Sequence, residues 1–233
     1  MSAYCLEENS VKIVEIVHAH LGIEQSEVGN ESSCYHDRVS RHISSVLAVF
    51  LDRDGVINRK MPEGQYVKSW SEFQLLPGAV EAIVKLKRAG LLVIVVSNQR
   101  GIALGLYNRD DVDRIHSRLQ QDLAAQGAEI DGFYICPHDL DTCNCRKPLT
   151  GLFDQAKAAF PDLLPETSVL IGDSLSDIEF GCSLGMTTIF IGDDRIDGEA
   201  RHLDNESAAL LADFNFSSLS EAVDAVLRSA SAR

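Results

Sequence analysis

No apolar run in the 233-residue chain approaches the roughly 20 residues needed to cross a bilayer, and no basic stretch followed by an apolar one opens it. Both a membrane span and a recognisable secretory signal are therefore missing, and a soluble cytoplasmic protein is the expectation. Basic residues are scarce as well. The 21 Lys and Arg face 35 Asp and Glu, for a formal net charge of −14, which argues against nucleic acid or an anionic membrane as partner. Charged residues make up only 24% of the chain against 45% hydrophobic, so it has the composition of a packed globule and not of a disordered polymer. A disulfide framework is not indicated either. There are six cysteines, and three of them, Cys136, Cys143 and Cys145, fall within ten residues. In a cytosolic protein of this size such clustering suits a metal better than cross-links. Cys5, Cys34 and Cys182 lack ligand spacing, and Cys182 reads as core.

What is present is an alternation of strand and helix patterns from Val46 onward. Short apolar runs at 46–51, 91–99, 132–135, 169–172 and 187–191 read as buried strands. Between them lie helical patterns from Pro77-Gly78 to about Lys87, from near Asp110, over 150–160, and around Ile178–Leu184, with a last one from Ser220 to about Ser229. In the first, Val80, Ile83, Val84 and Leu86 form the inward stripe and Ala89-Gly90 the stop. In the second the stripe is Val112, Ile115, Leu119 and Leu123. Such repetition predicts an α/β fold with a parallel sheet covered on both faces. Residues 46–233 form this domain. Residues 1–45 form an extension, a helix from Val11 to about Leu21 followed by a polar linker, to which no role is given. No segment is long enough for a large cap domain; the insertions near the acids are 59–76 and 137–149.

The first strand ends in Asp52-Arg53-Asp54-Gly55. An Asp-Gly turn is the commonplace reading of such a stretch. Yet in open α/β sheets ligands bind at the carboxyl ends of strands, and two crowded carboxylates need a divalent cation or a shared proton. Other strand ends add to it: Ser97-Asn98-Gln99, the sequence Arg146-Lys147-Pro148 before a helix, and Gly172-Asp173 with Asp177 four residues on. Together they supply a nucleophile, a hydroxyl donor for phosphate, a fixed cation and a metal carboxylate. Separately, Cys136-x-His138-x₄-Cys143-x-Cys145 holds a full Cys₃His set for a closed, structural Zn²⁺ site. Its physical task would be to fold a polar loop and hold Arg146 and Lys147 at the mouth of the site.

The order D-x-D-G, S-N-Q, K-P, G-D-x-x-x-D resembles the haloacid dehalogenase-like (HAD) phosphohydrolases over 46–192. The thiol loop running into Cys145-Arg146-Lys147-Pro148 looks like the branch of heptose-bisphosphate and histidinol-phosphate phosphatases. The run from Ser97 to Gly105 is similar to the heptose side of it, with departures: Arg100 for a usual Ser, Leu104 for a usual Arg, Ser174 for a common Lys, and a short zinc loop. The resemblance implies a Rossmann-like HAD fold. Asp52 would be a nucleophile forming an aspartyl phosphate, and Asp54 a general acid and base. Mg²⁺ would be held by the Asp52 side chain, the Asp54 carbonyl and Asp173. Ser97, Asn98, Arg100, Arg146 and Lys147 would bind phosphate and substrate. Asp177 either orients the site or caps a helix. The implied substrate is a small phosphorylated sugar, first D-glycero-D-manno-heptose 1,7-bisphosphate losing its 7-phosphate, with histidinol phosphate as alternative. A polynucleotide 3′-phosphatase fits the acidic charge poorly. A dead, zinc-stabilised binding module is the rival outside enzymes, and the retention of Asp52, Asp54, Ser97, Lys147 and Asp173 speaks against it.

Overall fold

The computed structural model describes residues 46–192 and 199–230, so the expected extension over 1–45 lies outside the described residues. Six strands form one wholly parallel sheet: β1 (Ala48–Leu51), β2 (Leu92–Asn98), β3 (Gly132–Cys136), β4 (Ser168–Gly172), β5 (Thr187–Ile191) and β6 (Phe214–Phe216). Their order is β3-β2-β1-β4-β5-β6. The helices are α1 (Ala79–Arg88), α2 (Arg109–Ala124), α3 (Gly151–Ala159), α4 (Leu175–Leu184), α5 (Glu199–Leu211) and α6 (Leu219–Ala230). This is the α/β sandwich that the alternation predicts.

Strand periodicity explains the two cores. Successive side chains of a strand point to opposite faces. Ala48 and Phe50 of β1 join Ile94, Val96 and Leu170 on one face, under Leu152, Phe153 and Ala156 of α3 and Phe180 of α4. Val49 and Leu51 join Val93, Val95, Val169 and Ile171 on the other, under α1, α2 and α6. Because β1 is buried on both faces, its run has no polar residue to alternate with. The predicted helix stripes are all inward: Val80, Ile83, Val84 and Leu86 on α1, and Val112, Ile115, Leu119 and Leu123 on α2. Gly90, at φ 78°, ends the α1 segment in a conformation that side chains disfavour. Asn108 caps α2 reciprocally with Asp111, each side chain accepting from the other's backbone N–H at 3.0 and 2.9 Å.

Two elements were not foreseen. α5 has a diluted apolar pattern, Glu-Ala-Arg-His-Leu-Asp-Asn-Glu-Ser-Ala-Ala-Leu-Leu. β6 is only three residues and holds the edge through parallel pairing with β5. The 59–76 excursion is irregular apart from one 3₁₀ turn at Trp70–Glu72, and no helix among the described residues is long and apolar enough to cross a membrane.

Candidate active site

Strand register brings the motifs together. Leu51 lies level with Val95 on one side and Ile171 on the other, and Asp52 N donates to Ile171 O at 3.0 Å. Asp52 therefore leaves the sheet beside Gly172 and Asp173. The strand order reverses between β1 and β4, and that switch point is where open sheets form a crevice at their carboxyl ends. On the other flank Ser97 pairs with Ile135 and Asn98 with Cys136, which sets the start of the thiol loop beside the end of β2.

Lys147 is buried at the centre of this edge. Its Nζ donates to Asp52 Oδ1 and to the Val96 carbonyl, both at 2.7 Å, and pairs with Asp177 Oδ1 at 2.5 Å. Burial pushes the Asp52 carboxyl up to about 7 against the pull of Lys147, with Asp177, Asp173 and Asp54 adding to the rise. Burial also opposes ionisation of Asp177, but Lys147 and the Ser174 hydroxyl outweigh it and hold Asp177 below the usual carboxylate range. Asp177 fulfils both readings open at the sequence level. Its Oδ2 accepts from Ser174 N and Oγ at 3.2 and 2.5 Å to cap α4, while Oδ1 faces the lysine.

Asn98 does something the sequence did not suggest. Its amide donates to Lys147 O at 3.1 Å and accepts from Lys147 N at 3.0 Å. Both ends of the side-chain amide are occupied by the backbone that carries the lysine, so Asn98 positions Lys147. Ser97, also buried, accepts from Gln99 Nε2 at 2.9 Å.

Asp54 sits in a separate network. Arg53 Nη2 donates to both its oxygens at 2.9 and 2.8 Å, Asn58 Nδ2 to Oδ1 at 2.9 Å, and Gln99 Nε2 to Oδ2 at 3.0 Å. Tyr107 donates to Gln99 Oε1 at 2.8 Å and so fixes which end of that amide faces the acid. Burial alone would raise Asp54, but Arg53 and the three donors win and hold it below the usual range. Arg53 is fully buried, and nothing in D-R-D-G signals that its side chain folds back on the second acid.

The carboxylates of Asp52, Asp173 and Asp177 offer oxygens within 4.8 Å of one another. Two glycines make that approach possible. A Cβ on Gly55 (φ 103°) would lie 2.1 Å from Asp173 Oδ2, and one on Gly172 would lie 2.2 Å from the Asp177 Cβ. All-oxygen donors, crowded and buried, fit a hard divalent ion. Lys60, not singled out as a site residue from sequence, donates to Asp173 Oδ1 and Oδ2 at 2.9 and 2.7 Å.

The thiol loop converges equally well. Cys136 Sγ lies 3.5 Å from Cys143 Sγ and 3.7 Å from His138 Nδ1, which lies 3.2 Å from Cys145 Sγ. Tetrahedral Zn²⁺ bonds of ~2.0–2.3 Å demand donor separations of about 3.5–3.8 Å, so the set is close to the right size. Burial works against a Cys143 thiolate, but the backbone N–H groups of Cys145 and Arg146 outweigh it and bring the thiol down to about 7. Burial and the neighbouring Cys136 and Cys143 thiols push Cys145 up to about 12. Arg100 and Arg146, expected at the rim, lie by this loop. Arg100 Nε donates to Asp139 Oδ1 at 2.6 Å, and Arg146 is half-buried.

Comparison with known proteins agrees with this geometry. Residues 144–222 match the HAD-hydrolase-like family model. Over 132 residues the chain is 48% identical to the D-glycero-α-D-manno-heptose-1,7-bisphosphate 7-phosphatase of Mycobacterium tuberculosis, covering 56% of this chain and 69% of that one. It is 37% identical over 141 residues to the β-anomer 7-phosphatase of Pasteurella multocida, covering 58% and 74%. Among solved structures, the D,D-heptose 1,7-bisphosphate phosphatase of Bordetella bronchiseptica, complexed with magnesium and phosphate, superposes with a TM-score of 0.66 at 28% identity, covering 78% of this chain and 98% of that one. With its parallel sheet, its strand-end acids and nearly half its aligned residues shared, the chain belongs to the haloacid dehalogenase-like phosphohydrolases, within the group that contains the heptose-1,7-bisphosphate 7-phosphatases.

Proposed function

We propose that this protein removes the 7-phosphate of D-glycero-D-manno-heptose 1,7-bisphosphate, through a phosphoryl group carried transiently on Asp52. The observation that carries the reading is the meeting of Asp52, Lys147 and Asp173 at one switch point, in a chain 48% identical over 132 residues to an enzyme of that name. The α anomer is the first choice, because the relative named for it is more similar than those named for the β anomer, at 37 and 38%.

In the first half of the reaction an Asp52 oxygen attacks phosphorus and the bond to the sugar oxygen breaks. Asp54 gives that oxygen a proton. In the second half Asp54 takes a proton from water, the water oxygen attacks the aspartyl phosphate, and inorganic phosphate leaves with Asp52 restored. Arg53, Asn58 and Gln99 favour the carboxylate form of Asp54, which suits the second half. For the first half the dianionic phosphoryl group raises its proton affinity, as a like charge does. Lys147 offsets charge on the phosphoryl oxygens, and Ser97 supplies a hydroxyl to them once Gln99 turns aside. Asp52, the Asp54 carbonyl and Asp173 would hold Mg²⁺, which supplies neutralisation of the phosphoryl charge. Cys136, His138, Cys143 and Cys145 would hold Zn²⁺ as a structural ion, fixing the loop that carries Arg146 and Lys147.

The test is phosphate release from heptose 1,7-bisphosphate, heptose 7-phosphate and histidinol phosphate under identical conditions. The expected result is the highest kcat/KM for the bisphosphate, with the 1-phosphate retained in the product. A clear preference for histidinol phosphate would move the substrate to the other branch.

A further inference from the structure

The site carries more positive charge than the reaction uses. Lys147 already serves Asp52 and Asp177, and Lys60 is fully engaged with Asp173. Lys60 grips both oxygens of the carboxylate, which leaves the charged faces of Asp173 covered by an ammonium. Lys147 takes only one oxygen of Asp52 and leaves the other for an ion, but Lys60 holds both oxygens of Asp173, so a divalent ion that binds there has to take the place of Lys60.

The structure also shows where it can go. Lys60 lies on the wall of a cavity of about 320 Å³ whose other lining includes Asp173, Ser174, Ser176, Glu179 and Asp204. Glu179 and Asp204 are near enough to repel, and among the described residues neither forms an ion pair with a cationic side chain. The Lys60 side chain is about one-third exposed, so its four-carbon stem can turn without unpacking the core. A pair of carboxylates in this cavity also makes it a poor seat for a second substrate phosphate and a good one for an ammonium.

We propose that Lys60 is an internal competitor for the metal site: in the metal-free protein it occupies Asp173, and metal binding displaces it into the cavity beside Glu179 and Asp204. This rests on the reading of Asp173 as a metal ligand. The displacement sets metal affinity below what the carboxylates alone would give. It also protects the empty site, because Asp173 is never left buried without a counter-charge.

The experiment is calorimetric titration of Mg²⁺, with Mn²⁺ as a second probe, into chelator-stripped wild-type protein and the variants Lys60→Met, Lys60→Arg and Asp173→Asn, together with melting of each with and without metal. Lys60→Met is expected to tighten metal binding up to about fivefold, the upper end of what one partly exposed ion pair contributes. It should melt lower than wild type in chelator and match or exceed it in saturating metal, since metal binding then stabilises the native state more. Lys60→Arg keeps a competing charge and should bind metal like wild type. Unchanged or weaker binding in Lys60→Met, alongside wild-type binding that Asp173→Asn abolishes, overturns the competitor role and leaves the metal site standing. Unchanged binding in Asp173→Asn overturns the metal reading itself, and the proposal with it.

Discussion

Replacing Lys147 with methionine separates folding from chemistry at this site. Methionine keeps most of the volume of the buried stem and removes the charge. Asp52 and Asp177 are then left in a buried site without the cation they share, and the Val96 carbonyl loses its donor. Taking one partner from a buried ion pair costs about 3–5 kcal/mol, a large part of the ~5–15 kcal/mol by which domains are stable. In a domain of this size each kcal/mol moves the melting temperature by roughly 2–4 °C, so Lys147→Met should melt about 6–20 °C lower in chelator. Adding Asp177→Asn removes one stranded charge while its amide oxygen can still accept from Ser174. The double variant should therefore be more stable than Lys147→Met alone, with a coupling of about 1–3 kcal/mol. The assay is urea unfolding of wild type, both single variants and the double, read from the midpoints at constant slope. A coupling below about 0.5 kcal/mol, or a Lys147→Met protein as stable as wild type, would refute the buried-pair reasoning. Phosphatase activity should stay lost in the double, because restoring charge balance restores no ammonium.

Asp52→Asn should abolish turnover with the fold retained, and Asp54→Asn should slow it by about 10²–10⁴-fold, the range for a lost proton-transfer group; phosphate release and circular dichroism check both. Elemental analysis of reduced protein should find about one zinc per chain, and Cys143→Ser should lose it and lower activity together, since one ligand fewer opens the site. His116 is buried against the Phe133 ring, with centroids 4.2 Å apart, and burial, helped by Arg53, lowers its imidazole to about 3 from 6.5. The unfolded chain therefore takes up a proton below pH 6.5 that the folded one refuses, so stability falls as pH drops from there toward 3. Between pH 8 and pH 5 the loss is about 2 kcal/mol, and His116→Leu should remove that part of the slope in urea titrations at the two pH values.

How much of this was visible beforehand depends on the kind of information each residue carries. The strands at 46–51, 91–99 and 169–172 were legible because a strand buried on both faces is a run of apolar residues, and Asp52, Ser97 and Asp173 each stand immediately after that run. The Cys₃His set was legible because its four members are local. α5 escaped because the polar run from Asp204 to Ser207 interrupts its apolar residues, half of which are alanines, and β6 because three residues give no period to read. The partners of Asp54 escaped for another reason. Arg53 and Gln99 stand in the quoted motifs and Asn58 three residues past Gly55, but burial and side-chain direction come from packing, and no spacing rule says that an arginine between two acids turns inward. Asn98 and Lys60 depend on contacts 49 and 113 residues away in the chain.

The clamp from Asn98 to Lys147 has a consequence for how this site can change. Cys136 is paired with Asn98 through the strands, and Lys147 is bound to the same asparagine through its side chain. The segment between them leaves the body and returns to it at a single residue, the geometry of an Ω-loop. Its interior can be shortened, lengthened or rewritten between His138 and Cys143 without moving the lysine at its exit. The loop is in effect an exchangeable cassette: transplanting the corresponding stretch from a relative should carry substrate preference across while the phosphoryl chemistry stays in place.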